Sequence, residues 1–395
     1  MGANVQKGQQ VYLRSDVNAV EFTRMVAKAC WEAGAGDVTV RYGDESTARM
    51  RYQYADVETL SDVPDWVYAP GVDLMKKGAC LISIIADDPD AFSGLDPKKV
   101  GAAAIASARA SKEFSDLFDL NVNQWTVVAV PCAAWAKKLF PELEETAAIE
   151  KLWDYIYHTV RIDDEDAAAS WDMHSKTLQA HCKKLNELKL KQLHITNSLG
   201  TDLTVRLVDG YIFEGGSSFT SDKNVEFEAN MPTEEVFTMP HKYGVDGTVY
   251  SSMPLIYNGT MIDKFHITFK DGKVTGFDAQ EGKEALASIF EIDEGATHLG
   301  EIALVPYKSM IRETGILFYN TLFDENAACH VALGNAYPTN LADCVEMSDE
   351  EKDKAGCNQS NTHVDFMFGT ADLDIVGILP DGSEIQVFKN GNWSF

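Results

Sequence analysis

The sequence predicts an α/β protein of two domains: a layered α/β N-terminal domain on a mostly parallel sheet (residues 1–190), and a β-rich α+β C-terminal domain (residues 191–395). Three observations carry this. Over the first half, short apolar runs alternate with helix-length amphipathic segments, the texture that pairs strands in parallel through right-handed crossovers. Past residue 190 the texture changes to short strands separated by turn signals such as Asp271-Gly272, Asp381-Gly382 and Asn390-Gly391. A chain of 395 residues with 45% apolar content is also long enough for two cores, at about 150 residues per domain.

Taken in order, residues 11–13 read as a strand, and Phe22, Met25, Val26, Ala29 and Cys30 then fall at helical spacing before Gly34. Val38, Val40 and Tyr42 alternate as the next strand, and a helix is expected from near Pro64 to Gly78. The continuous apolar run 80–86, closed by Asp87-Asp88-Pro89, suits a strand buried on both faces. Residues 101–118 are Ala-rich and helical, 125–130 form another buried strand, and helices follow over 133–139 and 143–160. A polar helix over 170–190 leads into the second half, where 193–196, 203–208, 249–257, 264–270 and 274–278 read as strands and 281–290 as a helix. Asp44, Asp87 and Asp88 stand at strand ends, where open α/β sheets place ligands, but helix capping is the commoner use of such residues. No G-x-G-x-x-G follows any strand, and neither a P-loop nor a G-x-S-x-G is present.

The balance of 34 basic against 61 acidic residues gives a formal net charge of −27, which repels phosphate backbones and anionic lipid. Nucleic acid and membrane surfaces are therefore excluded as partners. The seven cysteines are odd in number, widely spread and without a C-x-x-C pair, which argues for reduced thiols in the cytoplasm. The polar stretch 2–10 lacks the apolar core of a signal peptide, and no apolar run approaches the ~18 residues of a membrane span.

Chemistry concentrates late in the chain. Glu301 sits in L-G-E-I-A-L-V-P, His330 in N-A-A-C-H-V-A-L-G, and His363 and Asp365 in T-H-V-D-F-M. An acid or imidazole in an apolar strand is costly to bury unless paired, and a divalent ion is the strongest partner available. His363 and Asp365, two apart on a strand, point the same way, although a histidine bonded to a neighbouring acid would show the same spacing. Upstream, N-M-P-T-E-E-V-F-T-M-P-H covers 230–241, and by spacing alone Glu234 and Glu235 are equally eligible. Glu301 could instead pair with Arg312, and His241 could line a pocket. Strand alternation turns Cys329 away from His330, as a buried thiol of the core. His298-Leu299-Gly300-Glu301 looks like half of a zincin motif, but H-E-x-x-H is absent. His158, His174, His181, His194 and His266 have no second ligand at useful spacing and read as structural or surface residues.

Together with F-Y-N-T-L-F-D-E-N-A-A-C-H, these motifs resemble the M29 family of metallo-aminopeptidases, which includes aminopeptidase T and the bacterial aminopeptidase S branch. The resemblance runs over nearly the whole chain. It implies a site for two divalent metal ions, with Glu235, Glu301, His330, His363 and Asp365 as ligands and Tyr337, in A-Y-P, as the active-site tyrosine. It further implies a homodimer that removes single residues from the amino end of peptides, with one ion on the free amine. Three carboxylates and two imidazoles suit Zn, Co, Mn or Mg. Glu301 is the first candidate to shuttle the proton of the attacking water, and Tyr337 would donate to the oxyanion. Family members open with an amphipathic helix ahead of a segment similar to G-A-N-V-Q-K-G-Q, where this sequence starts; the surface such a helix would cover is expected to be exposed or differently packed. The ligand types alone also fit a two-metal amidohydrolase or phosphoesterase, or a non-catalytic acidic metal-binding protein.

Overall fold

The apolar run Cys80–Ile85 becomes the central strand of a five-stranded parallel sheet, ordered Asp37–Gly43, Gln10–Asp16, Cys80–Ile85, Trp125–Ala129 and Asn230–Met231. The structure, a computed structural model, describes residues 1–395. The sheet belongs to a unit of Met1–Met173, Ser217–Pro232 and Leu317–Leu322; a second unit comprises His174–Gly216, Thr233–Ile316 and Phe323–Phe395.

In the first unit Val11, Leu13, Leu81 and Ile84 are buried in the sheet, as expected for strands covered on both faces. The helix Pro97–Asp119 starts where Asp96 accepts the Lys98 N–H and Pro97 takes the first position, which leaves no helical donor unsatisfied by its missing N–H. Its Phe114 meets Tyr12 edge to face at 6.3 Å. The helix Ala69–Lys76 passes so close that a Cβ on Gly71 would lie 3.0 Å from the Tyr12 ring. The helix Glu45–Tyr54 escaped the sequence reading because it buries none of its residues and so carries no apolar stripe to detect. Asp44 does cap it, accepting the Thr47 N–H at 3.2 Å. Asp88 is no helix cap; it accepts the Asp90 N–H in a turn.

The second unit holds two antiparallel sheets. The larger has nine strands, with Thr260–Lys270, Pro240–Tyr250, Asp202–Leu207, Gln192–Thr196 and Asp374–Ile378 adjacent in that order along its middle. The strand expected over 249–257 is two strands, Pro240–Tyr250 and Leu255–Tyr257; Pro254, without an N–H to give a ladder, lies at the break. The smaller sheet runs Val236–Thr238, Leu299–Leu304, His330–Gly334, His363–Met367. One core joins the two: Leu193, Val205 and Ile267 of the larger sheet belong to the same buried cluster as Ile302, Val331 and Phe366 of the smaller. Burying such side chains stabilises by about 1.5–3 kcal/mol each, which holds the smaller sheet by one face. The other face is left for polar side chains.

Candidate metal centre

Antiparallel register decides which residues share that face. Ala332 stands opposite Glu301 on one side and Asp365 on the other, while Gly334 stands opposite His363 and Ala303 opposite His330. Glu301, His330, His363 and Asp365 therefore project together, over Ala303, Ala332 and Gly334, whose small size leaves room. Alternation alone would not place Glu301 there, because Leu299 on the same strand belongs to the core. The register shifts between Leu299 and Glu301, and this bulge turns the carboxylate to the opposite face. Gly300 permits the bulge: a Cβ there would lie 2.3 Å from the carbonyl oxygens of both Gly334 and Asn335.

The donor atoms converge. His330 Nε2 lies 3.1 Å from Glu235 Oε2 and 3.4 Å from Glu301 Oε1, and His363 Nε2 lies 3.5 Å from Glu301 Oε2 and 3.2 Å from Asp365 Oδ1. Glu235, Glu301 and His330 form one set of donors within 4.8 Å of one another, and Glu301, His363 and Asp365 form a second. Each imidazole is oriented from behind. His330 Nδ1 donates to Ala328 O at 3.1 Å and His363 Nδ1 to Asn335 O at 2.8 Å, so both Nε2 atoms face the cluster.

All five expected ligands are thus together. Tyr337, at the start of the turn Pro338–Asn340, brings its ring to 5.0 Å from that of His363. Glu235 and not Glu234 reaches His330; Glu234, also buried, lies 4.0 Å from His174 Nε2. Arg312 packs over the Tyr307 ring and takes no part. Cys329 turns inward, its thiol donating to Val305 O at 3.2 Å, and burial pushes it up to about 12. His241 accepts the Tyr243 N–H instead of joining the cluster.

Two contributors were missed. Glu325 is a half-buried carboxylate that feels the charges of the cluster: burial, and then the negative charges of Glu235 and Asp365, hold it well above the usual range. It lies in the 3₁₀ turn Glu325–Ala327, where no periodicity marks a face; only its place in D-E-N-A-A-C-H, five residues before His330, could have drawn notice. His174, on the helix Ala167–Leu188, donates to Thr233 O at 2.7 Å and so braces the backbone just before Glu235. No local pattern links it to a motif 59 residues away.

The electrostatics ask for a cation. Burial opposes charge on His330, yet its hydrogen bonds to Glu235 and Glu301 hold it well above its usual range. Burial likewise opposes charge on His363, but Asp365 and Glu301 push it up to about 10. Burial raises Glu301, whereas Asp365 goes down against its own burial because the His363 charge faces it. Four carboxylates around two imidazoles thus recruit protons as counter-charge. A divalent ion supplies more charge to the same donors and displaces those protons, so the residues fit a metal site.

A largely buried oxygen–nitrogen donor cluster on one face of the smaller sheet defines a protein with a candidate metal centre. Comparison with known proteins says which. The model of the thermophilic metalloprotease family M29 matches residues 1–393. Aminopeptidase 2 of Geobacillus stearothermophilus is 42% identical over 395 residues, covering 100% of this chain and 95% of that protein. Aminopeptidase T of Thermus aquaticus is 38% identical over 393 residues, with 100% and 95% covered. The solved structure of wild-type AmpT from Thermus thermophilus superposes with a TM-score of 0.92 at 37% identity, covering 100% of this chain and 96% of that one. The chain belongs to the M29 family of metallo-aminopeptidases, and it is a peptide hydrolase of the exopeptidase type. A 2,5-dihydroxypyridine dioxygenase from Pseudomonas putida shares the fold at a TM-score of 0.54 and 11% identity, so the architecture by itself does not name the chemistry.

Proposed function

We propose that the chain cleaves the amino-terminal bond of peptides with two divalent ions, Zn, Co, Mn or Mg, which the two donor groups that have Glu301 in common would hold. The observation that carries this is the division of one carboxylate: Oε1 is turned to His330 and Oε2 to His363, so that two three-donor groups meet at Glu301. Glu235 and His330 complete one group, His363 and Asp365 the other. Bound divalent ions supply Lewis-acid chemistry, polarising the scissile carbonyl and making water a nucleophile near neutral pH.

The side chains do the remaining work. With both Glu301 oxygens in ligand positions, Glu325, a half-buried carboxylate outside the two groups, would accept the proton water loses on attack once bound cations have released its own. Tyr337 donates its O–H to the carbonyl oxygen as negative charge develops there. The positive partners of these carboxylates are imidazoles, not lysine or arginine, which favours the protonated amino end of a peptide over a phosphate ester.

All the proposed ligands and Tyr337 lie in the second unit, which supports a catalytic C-terminal domain over 191–395 after an N-terminal domain over 1–190. A cytoplasmic setting is supported by seven cysteines that are all free thiols. No helix is long and apolar enough to cross a membrane. The homodimer rests on the family resemblance.

The test is release of free amino acid from unblocked and N-acetylated peptides, after chelation and after adding back each ion. Turnover of unblocked peptides only, lost on chelation and restored at two ions per chain, is expected. Full activity at one ion per chain would reject the shared carboxylate.

A further inference from the structure

Glu214 belongs to neither donor group, yet its carboxylate is built into the frame of the site. Oε2 accepts from Thr339 Oγ1 at 2.5 Å and from Asn340 Nδ2 at 3.1 Å. Both donors lie in the turn Pro338–Asn340, directly after Tyr337. The backbone of Glu214 pairs with that of Phe237 by N–H···O bonds of 2.9 Å in each direction, and Phe237 is two residues from Glu235 on the first strand of the smaller sheet. The Phe237 ring in turn meets the Tyr337 ring at 5.8 Å, at 68°. Next to it, Ile212 O accepts Thr238 Oγ1 at 2.8 Å and Asn340 Nδ2 at 3.2 Å, and Ile212 N–H donates to Asn340 O at 2.8 Å. Residues 212–214 therefore stitch the strand that follows Glu235 to the turn that follows Tyr337.

We propose that Glu214 is the positioning residue for Tyr337: its carboxylate ties the Pro338–Asn340 turn to the strand Val236–Thr238 and thereby fixes the phenol beside His363. This rests on the reading of Tyr337 as the oxyanion donor. A carboxyl group suits the task, since one of its oxygens accepts two donors at once. Without this acceptor the turn would be held by its bonds to Ile212 alone, free to shift by fractions of an ångström. Misplacement of a catalytic group by about 1 Å costs up to about 100-fold in rate.

A carboxylate that merely stabilised the fold would show the same hydrogen bonds, so the test must separate the two roles. Glu214→Ala and Thr339→Val, the latter removing one end of the same bond without touching the carboxylate, are measured alone and combined with Tyr337→Phe. Metal content and the unfolding transition are followed in parallel. Expected are losses in kcat of about tenfold or more for Glu214→Ala and a smaller loss for Thr339→Val, with KM and metal content little changed. Glu214→Gln should recover part of the loss, since it keeps one acceptor. In the Tyr337→Phe background both substitutions should have no further effect on kcat. Losses that multiply undiminished with Tyr337→Phe, or wild-type kcat in both Glu214→Ala and Thr339→Val, overturn the proposal. Wild-type kcat in Tyr337→Phe alone would instead overturn the role given to Tyr337, and the clamp with it.

Discussion

Leu299 and Glu301 lie two residues apart on one strand and face opposite sides of it: Leu299 pairs with Leu333 on the core face, Glu301 with Ala332 on the polar face. The bulge between them converts a core strand into one that carries a ligand. It exists because Gly300 lets two backbone carbonyls approach where a side chain would stand.

Gly300→Ala should therefore do more than lower stability. A Cβ 2.3 Å from the Gly334 and Asn335 carbonyl oxygens forces the strand to move, at a cost of about 3 kcal/mol. The simplest relief is loss of the bulge, which returns Glu301 toward the core face. Metal content by mass spectrometry should fall sharply in whatever folded protein is recovered. A folded variant with full metal content would show that the bulge does not aim the ligand.

Ala332 occupies the position between Glu301 and Asp365, fully buried. Ala332→Leu places four-carbon bulk among the donor atoms, where overpacking costs about 1–3 kcal/mol. Binding of ions should suffer first, since the cluster has less to hold it than the core behind. Calorimetric titration with Zn or Co should show weakened or absent binding, while Ala332→Ser, nearly isosteric, should bind as the parent does.

Glu301 and Asp365 should behave differently on removal. Glu301→Gln weakens both donor groups and is expected to lose both ions and most turnover; Asp365→Ala touches only the group with His363 and should retain one ion. Ion stoichiometry per folded chain checks this. Equal stoichiometry in the two variants would mean that Glu301 is not shared.

How much of this was legible in advance depended on whether a residue sat on a periodic element. His363 and Asp365 were readable because strand alternation is a fixed rule. Glu235 could not be separated from Glu234 by the same rule, since the strand Val236–Thr238 begins only after them. Glu325 lay in a 3₁₀ turn and His174 on a distant helix, so their approach to the site is a tertiary fact with no local trace. Of the fold, the elements with a buried stripe announced themselves, such as Cys80–Ile85 and Ala133–Leu139. The helix Glu45–Tyr54 did not, since it buries none of its residues.

Glu45 stands among acids at the ends of the parallel strands. Burial first, and then the charges of Asp87, Asp16 and Asp88, push its carboxyl up to about 7, even though it accepts the Asp88 N–H at 2.8 Å. A carboxyl raised in the folded state binds its proton more tightly there than in the unfolded chain. Its contribution to stability is thus complete below the unfolded value near 4.5 and is lost as pH rises through about 7. Glu45→Gln keeps an acceptor for the Asp88 N–H and carries no charge at any pH. The variant should match the parent near pH 4 and become progressively more stable than it between pH 5 and about 8, by a discounted fraction of the shift because the side chain is partly exposed to solvent. Melting temperatures of both proteins across that range decide the matter. A difference that is constant with pH would mean that Glu45 titrates alike in the folded and unfolded chain, and that burial and the neighbouring acids act on it less than their placement requires.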